Sequence, residues 1–343
     1  MASPPVKLPD KIVYDNILAR LPFRALRRFT AVCKAWRHTI CHDDAFAAAQ
    51  ARTPSSSSVA IARFVEGSLE LQILPPWAAD VVPLDPYLSF VEVDHGRLSF
   101  CACTGGVVCL KERTDPAGNP NPKQHVCNFY VVNPNRKSVR RVPYDYDGEV
   151  VTAGLAYDPE GFQLVVPVAE DGGRCRFRRF SSRRAEWSAS REAFALPPPE
   201  EFKPKPVYAS GHLYWLAGHD VVWYDLVGDR AGTMELLAAG KERVNDDRLD
   251  IGAWRGRLRV ALVNTVGLSV HELAAGGLGA GPERWEVLHS RRWENVPGLI
   301  CPESDWTHAR WKLGAVEMEA GGEEAVCLEV TTERDNDSRS IIP

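Results

Sequence analysis

Nine cysteines and nine histidines are the side chains in this sequence with the widest chemical repertoire, as sources of thiolate nucleophiles, metal ligands and proton shuttles. No two cysteines form a CxxC pair, and several sit in apolar runs, such as Cys109 in GGVVCL and Cys327 in AVCLEV. Buried, reduced thiols are therefore expected. The densest group is Cys101, Cys103 and Cys109; an extended CAC puts the first two on one face, but the spacing lacks the knuckle of a zinc site. His95, His125, His212, His219, His271, His289 and His308 are scattered, with no HxH or HxxxH among them. His38 and His42 do have the HxxxH spacing that puts two imidazoles on one helical face, without a third ligand. A GxSxG elbow and a glycine-rich phosphate loop are also missing. The expectation is a chain without metal, cofactor or catalytic centre.

What would position these residues divides into two parts. Val13, Ile17, Leu18 and Leu21 form a helical stripe after Asp10, a candidate N-cap, and the stripe stops at Leu21-Pro22, where proline disfavours helix in the residue before it. Leu26, Phe29, Cys33, Trp36 and Ile40 continue at helical spacing, and Asp43 or Asp44 can cap an alanine-rich turn around Phe46. Three or four small helices are expected within residues 1–52, followed by a polar linker, TPSSSS, at 53–58.

From 59 to 343 the pattern changes to short β-branched and aromatic runs such as NFYVVN, FQLVVPV, HLYWLAG and DVVWYDL, separated by Gly, Pro, Asn and Asp. Gly-x-Leu strand starts recur at Gly96, Gly211 and Gly256. Apolar strands running into polar turns recur at Tyr130 to Asn133, Phe177 to Ser181, Val222 to Asp225 and Ser269 to Glu272. A period in the forties with about four strands per unit is the signature of propeller blades. Five or six blades fit the length, six best, and Trp187, Trp215, Trp223, Trp254 and Trp285 are expected to pack blade against blade. The fold class is α+β multidomain, a small helical module before an all-β propeller-like domain.

Charge separates the same two parts. Residues 1–52 carry nine Lys or Arg against four Asp, so the net −4 of the chain hides a basic front and an acidic remainder. A basic front suits an acidic partner. The N-terminus lacks the apolar core of a signal peptide, and no apolar run is long enough to span a bilayer. A cytoplasmic or nuclear protein without membrane contact is expected.

The segment LPDKIVYDNILARLPFRALRRFTAVCKAWRHTI resembles the F-box. Its motif positions are met by Leu8, Pro9, Ile17, Leu18, Leu21, Pro22, Leu26, Val32, Cys33, Lys34, Trp36 and Arg37, with Ile40 and Phe46 completing it. The remainder is similar to the F-box-associated, kelch-like propeller domains common in plant F-box proteins, in segments such as FYVVNPNRKSVRRVP and GHLYWLAGHDVVWYDL. The resemblance implies a non-catalytic substrate-recognition subunit of a Skp–cullin–F-box ubiquitin ligase, docking on a Skp-type adaptor and binding a target protein through the propeller. An adaptor-binding protein with a non-degradative or glycan-binding role is the alternative.

The docking residues so implied are Leu8, Pro9, Ile17, Leu18, Leu21, Pro22, Leu26, Val32, Cys33, Trp36 and Ile40. A bundle this small cannot bury all its large apolar side chains internally, and the surplus is what a partner interface needs. Arg20, Arg24, Arg27, Arg28, Lys34 and Arg37 would rim it. A three-helix DNA-binding unit is disfavoured, because KAWRHTI offers few base-reading side chains and the acidic remainder repels DNA. For the target, candidate loops are 111–126 and 289–311; Arg291, Arg292, Trp293, Trp306, His308 and Arg310 in the latter mix cationic and aromatic groups as recognition surfaces do.

Overall fold

The structure, a computed structural model, describes residues 9, 11–21, 26, 28–43, 45–46, 49, 59–65, 68–74, 88–93, 97–104, 106–112, 126–134, 136–145, 150, 152–158, 161–218, 220–236, 249–254, 256–263, 267–274, 285–292, 309–312, 317–320, 323–326, 328–332 and 339–341. Asp10 and the expected linker lie outside them.

The N-terminal module is helical, with a different winding from the regular stripe. Ile12–Ile17 forms a π-helix that passes into a 3₁₀ turn at Leu18–Arg20. The wider π turn shifts the phase of the side chains: Leu18 and Ala19 turn inward, while Ile17 stays 42% exposed. Leu21 is extended at ψ 143, as the residue before a proline must be. The second stripe is also interrupted. Cys33 is extended (φ −157, ψ 165), and its Sγ accepts the Trp36 N–H at 3.4 Å, capping helix α1, Lys34–His42. Asp43 Oδ1 accepts the Phe46 N–H at 3.1 Å, the cap expected for the last turn. Leu18, Ala19, Leu26 and Phe46 form the core of this module, surrounded by Val13, Tyr14, Leu21, Phe29, Trp36 and Ile40.

The rest is antiparallel β-structure. A hairpin, β1 (Val59–Val65) and β2 (Ser68–Leu74), precedes four four-stranded meanders. The first is β3 (Leu98–Thr104), β4 (Val107–Glu112), β5 (Val126–Asn133) and β6 (Ser138–Asp145). The second is β7 (Gly154–Asp158), β8 (Gly161–Glu170), β9 (Arg174–Ser181) and β10 (Glu186–Ala189). The third is β11 (Val207–Ala209), β12 (His212–Ala217), β13 (Asp220–Asp225) and β14 (Arg230–Glu235), and the fourth β15 (Leu249–Trp254), β16 (Arg257–Val263), β17 (Gly267–Leu273) and β18 (Trp285–Arg292). Short strands follow: β19 (Ala309–Lys312), β20 (Glu317–Ala320), β21 (Glu323–Val326), β22 (Leu328–Thr332) and β23 (Arg339–Ile341).

First strands lie side by side, β3 against β7, β7 against β11 and β11 against β15, which is the propeller-like arrangement of successive sheets about an axis. Four complete sheets are described, against the five or six blades expected from length. The repeating strand-and-turn element was placed in phase: Asn133, Ser181, Asp225 and Glu272 all fall at or next to the end of a third strand. The Gly-x-Leu element was not. Gly211 and Gly256, at φ +84 and +78, turn the chain into second strands, whereas Gly96 precedes a first strand; Gly106, at φ +74, is the true equivalent.

Sheets bury both faces, which explains their near-continuous apolar runs. In β12, Leu213, Trp215 and Ala217 pack towards the second sheet, and Tyr214 and Leu216 towards the fourth. Trp187 packs on Phe129, Tyr144 and Phe180 between the first two sheets and donates to the Pro143 carbonyl at 2.8 Å. Trp285 donates to the Glu235 carbonyl at 3.4 Å between the third and fourth. A β-bulge between Phe100 and Ala102 breaks the expected alternation of the CAC segment, so Cys101 is buried and Cys103 exposed.

Candidate partner-docking site

The helical module exposes apolar side chains that its own core does not use. Ile17 and Val32, the latter 59% exposed, are joined by Ile12, one π turn before Ile17. Pro9 and Cys33 are exposed as well, and Leu21, Trp36 and Ile40 are half-buried. Phe29 steadies Trp36 edge-to-face, with ring centroids 5.6 Å apart. Arg20, Arg28, Lys34 and Arg37 of the same module are exposed, and Arg37 Nε donates to the Thr30 carbonyl at 3.1 Å.

Two residues expected at the interface are buried in the core of the isolated module. Leu18 and Leu26 are 1% and 0% exposed and hold the module together from inside, because the π turn carries Leu18 off the outer face. Leu8, Pro22, Arg24 and Arg27 lie outside the described residues. Sequence reading missed Ile12; its five-residue separation from Ile17 suits a π turn and escapes a search for regular helical spacing.

In the β-domain, Arg291 and Arg292 belong to the outer strand β18 and Arg310 to β19, while Trp293, Trp306 and His308 lie outside the described residues. Strand β18 exposes Val287 and Leu288 beside a bulge opposite Val270 and His271. Residues 113–125, most of the other candidate loop, also lie outside.

Three carboxylates of the β-domain, Glu272, Asp229 and Asp225, are committed to structure. Glu272 accepts Arg257 at 2.7 Å and Arg259 at 2.8 Å. Burial pushes its carboxyl up, but these two hydrogen bonds outweigh burial and hold it below its ordinary range. Asp229, in the β13–β14 turn, accepts the Tyr224 hydroxyl at 2.6 Å and the N–H of Arg191, just after β10, at 2.9 Å, and is lowered in the same way against its burial. Asp225 accepts the Val227 and Gly228 N–H groups at 3.0 and 2.9 Å, closing the β13–β14 turn.

Among the described residues Ser269 and His271 form a contact of the kind a nucleophile and base would make, with Oγ and Nε2 2.9 Å apart. Nδ1 is buried with no hydrogen-bond partner among the described residues, so the acid that would orient the ring in a triad is missing. Burial lowers the His271 pKa and favours the neutral ring. Cys101, Cys109 and Cys127 share the core between the first two sheets; the hydrogen bond to Cys101 and burial push the Cys109 thiol well up, and burial pushes Cys127 up to about 12. Among the described residues no three His, Cys, Asp or Glu side chains are grouped to hold a metal ion.

The helical module thus exposes apolar and cationic side chains, and a propeller-like β-domain follows it. The chain carries an F-box domain at residues 6–46. It is also 28% identical over 138 residues to a probable F-box protein of Arabidopsis thaliana, a match covering 40% of this chain and 63% of that protein, less than two thirds of its length. Among solved structures, the SapL1 lectin in complex with alpha methyl fucoside aligns at TM-score 0.44 and 12% identity, covering 80% of this chain and 85% of that one. TolB from Acinetobacter baumannii aligns at 0.43 and 9%, covering 81% and 62%. Both likenesses are loose.

Proposed function

We propose that this chain is a non-catalytic substrate-recognition subunit of a Skp–cullin–F-box type ubiquitin ligase, acting in the cytoplasm or nucleus. Its F-box docks on a Skp-type adaptor, and the β-domain holds a target protein near the ubiquitin-transfer machinery. The supporting observation is the F-box at residues 6–46, which leaves Ile12, Ile17 and Val32 exposed on a module whose core is already filled. Exposed apolar groups on so small a module gain by burial against a partner, and the arginines and lysines of the same module favour encounter with an acidic one. The committed carboxylates and the incomplete Ser269–His271 pair favour recognition over catalysis.

The test is capture of a Skp-type adaptor by the full chain and by a variant with Leu21→Ala and Pro22→Ala. Loss of capture with the β circular dichroism signal retained is expected. Undiminished capture overturns the docking assignment. Proximity labelling with the same pair of proteins then separates targets, whose labelling does not depend on Leu21 and Pro22, from adaptor-borne components, whose labelling does.

A further inference from the structure

A hydrogen bond between the helical module and the first β-sheet is made at the end of α1. Asp43 is the C-cap of that helix, and each of its groups is engaged. Its N–H donates to the Thr39 carbonyl at 3.3 Å, closing the helix; Oδ1 accepts the Phe46 N–H at 3.1 Å, opening the next turn. Its carbonyl accepts a hydrogen bond from the Arg136 guanidinium, 93 residues on in the β5–β6 turn of the first sheet. The carbonyls at a helix C-terminus lack partners within the helix and carry the negative end of its dipole, so a cation there is favoured twice.

Arg136 is held in place by its own turn. Its N–H donates to Asn133 Oδ1 at 3.1 Å, and Lys137 follows at φ +51. The same turn recurs in the next two sheets, with Ala185 at φ +56 and Asp229 at φ +53 also one residue before the fourth strand. At the position of Arg136 those turns have Arg184, whose side chain is 79% exposed and 3.7 Å from Glu186, and Gly228. A left-handed residue thus closes this turn three times, and in the first sheet the arginine before it reaches the helical module.

We infer that Arg136 is a positioning residue that clamps the F-box to the first β-sheet through the carboxyl end of α1 and so sets the angle between adaptor and target. Its purpose rests on the ligase reading above, but the geometry does not. Domains joined by a polar segment are expected to move unless their interface prevents it. The clamp opposes that freedom with one guanidinium whose own backbone N–H is tied to Asn133 Oδ1.

The experiment uses the full chain with fluorophores on noncanonical residues at Ala35 in α1 and Asp171 in the β8–β9 turn, both exposed, read by single-molecule energy transfer. Wild type and Arg136→Lys, which keeps a cationic donor, are expected to give one narrow distance distribution. Arg136→Ala and Asn133→Ala, the latter releasing the turn with the guanidinium intact, are expected to give distributions about twofold broader or shifted. Adaptor capture should be equal in all four, so failure of the docking assignment and failure of the clamp are read separately. Distributions for both alanine variants that superimpose on wild type overturn the inference. Should Arg136→Ala lose its β circular dichroism signal, Asn133→Ala alone decides in the same way.

Discussion

Replacing Ile17 and Val32 together by serine separates docking from folding in the F-box. Both side chains are about half exposed, at 42% and 59%, and neither belongs to the core of Leu18, Ala19, Leu26 and Phe46. Complete burial of a large aliphatic side chain contributes about 1.5–3 kcal/mol, so each has roughly 1 kcal/mol left to gain at an interface. The double variant forgoes about 2 kcal/mol, which weakens adaptor binding about thirtyfold. Surface changes of this kind leave stability within about 0.5 kcal/mol. Leu26→Ala is the converse, since it empties a fully buried site at a cost of about 2–5 kcal/mol, most of what so small a module possesses. Calorimetric titration with a purified Skp-type adaptor and far-ultraviolet circular dichroism read the two effects. The double serine variant should bind weakly and remain helical, while Leu26→Ala should lose binding and helix together. Binding of the serine variant within twofold of wild type would refute the placement of the interface.

Further expectations concern the sheets. Gly154→Ala would place a Cβ 2.8 Å from Leu213 Cδ1 and 3.0 Å from Trp215 Cζ2; such overpacking costs about 1–3 kcal/mol and should lower the melting temperature without altering adaptor binding. Glu272→Gln leaves Arg257 and Arg259 without their anion, and a loss of about 2–3 kcal/mol, read by denaturant titration, is expected for this partly exposed network. Glu272, Asp225 and Asp229 all have carboxyls lowered from ordinary values of 4.5, 3.8 and 3.8. Their contribution is therefore present above those values and lost as pH falls below them through the folded-state pKa. Stability measured from pH 6 to pH 2 should fall only in the acid part of that range, and less in Glu272→Gln. Iodoacetamide at pH 8 should modify exposed Cys33 in the native protein and spare Cys127 and Cys175, whose thiols burial pushes up to about 12.

What could be read in the sequence follows from how locally each feature is determined. The recurrence of Asn133, Ser181, Asp225 and Glu272 near third-strand ends was legible because sheets buried on both faces repeat the same apolar run and polar turn at a fixed period. Asp43 was legible as a cap because capping acts over three residues. The winding of Ile12–Ile17 was not, since a π turn and an α turn suit nearly the same apolar residues, yet the difference decides whether Ile12 and Ile17 or Leu18 face outward. The bulge beside Cys101 was hidden for the same reason: one unpaired residue changes the face of a side chain without changing composition. Least legible was Arg136, which in sequence is one cation in the run NPNRKSVRR. Its role depends on a turn shared with two other sheets and on a helix end 93 residues earlier. Residues that join two domains have this character, because their partners are neither periodic nor near in the chain. They are best sought by asking which member of a repeated turn departs from its siblings.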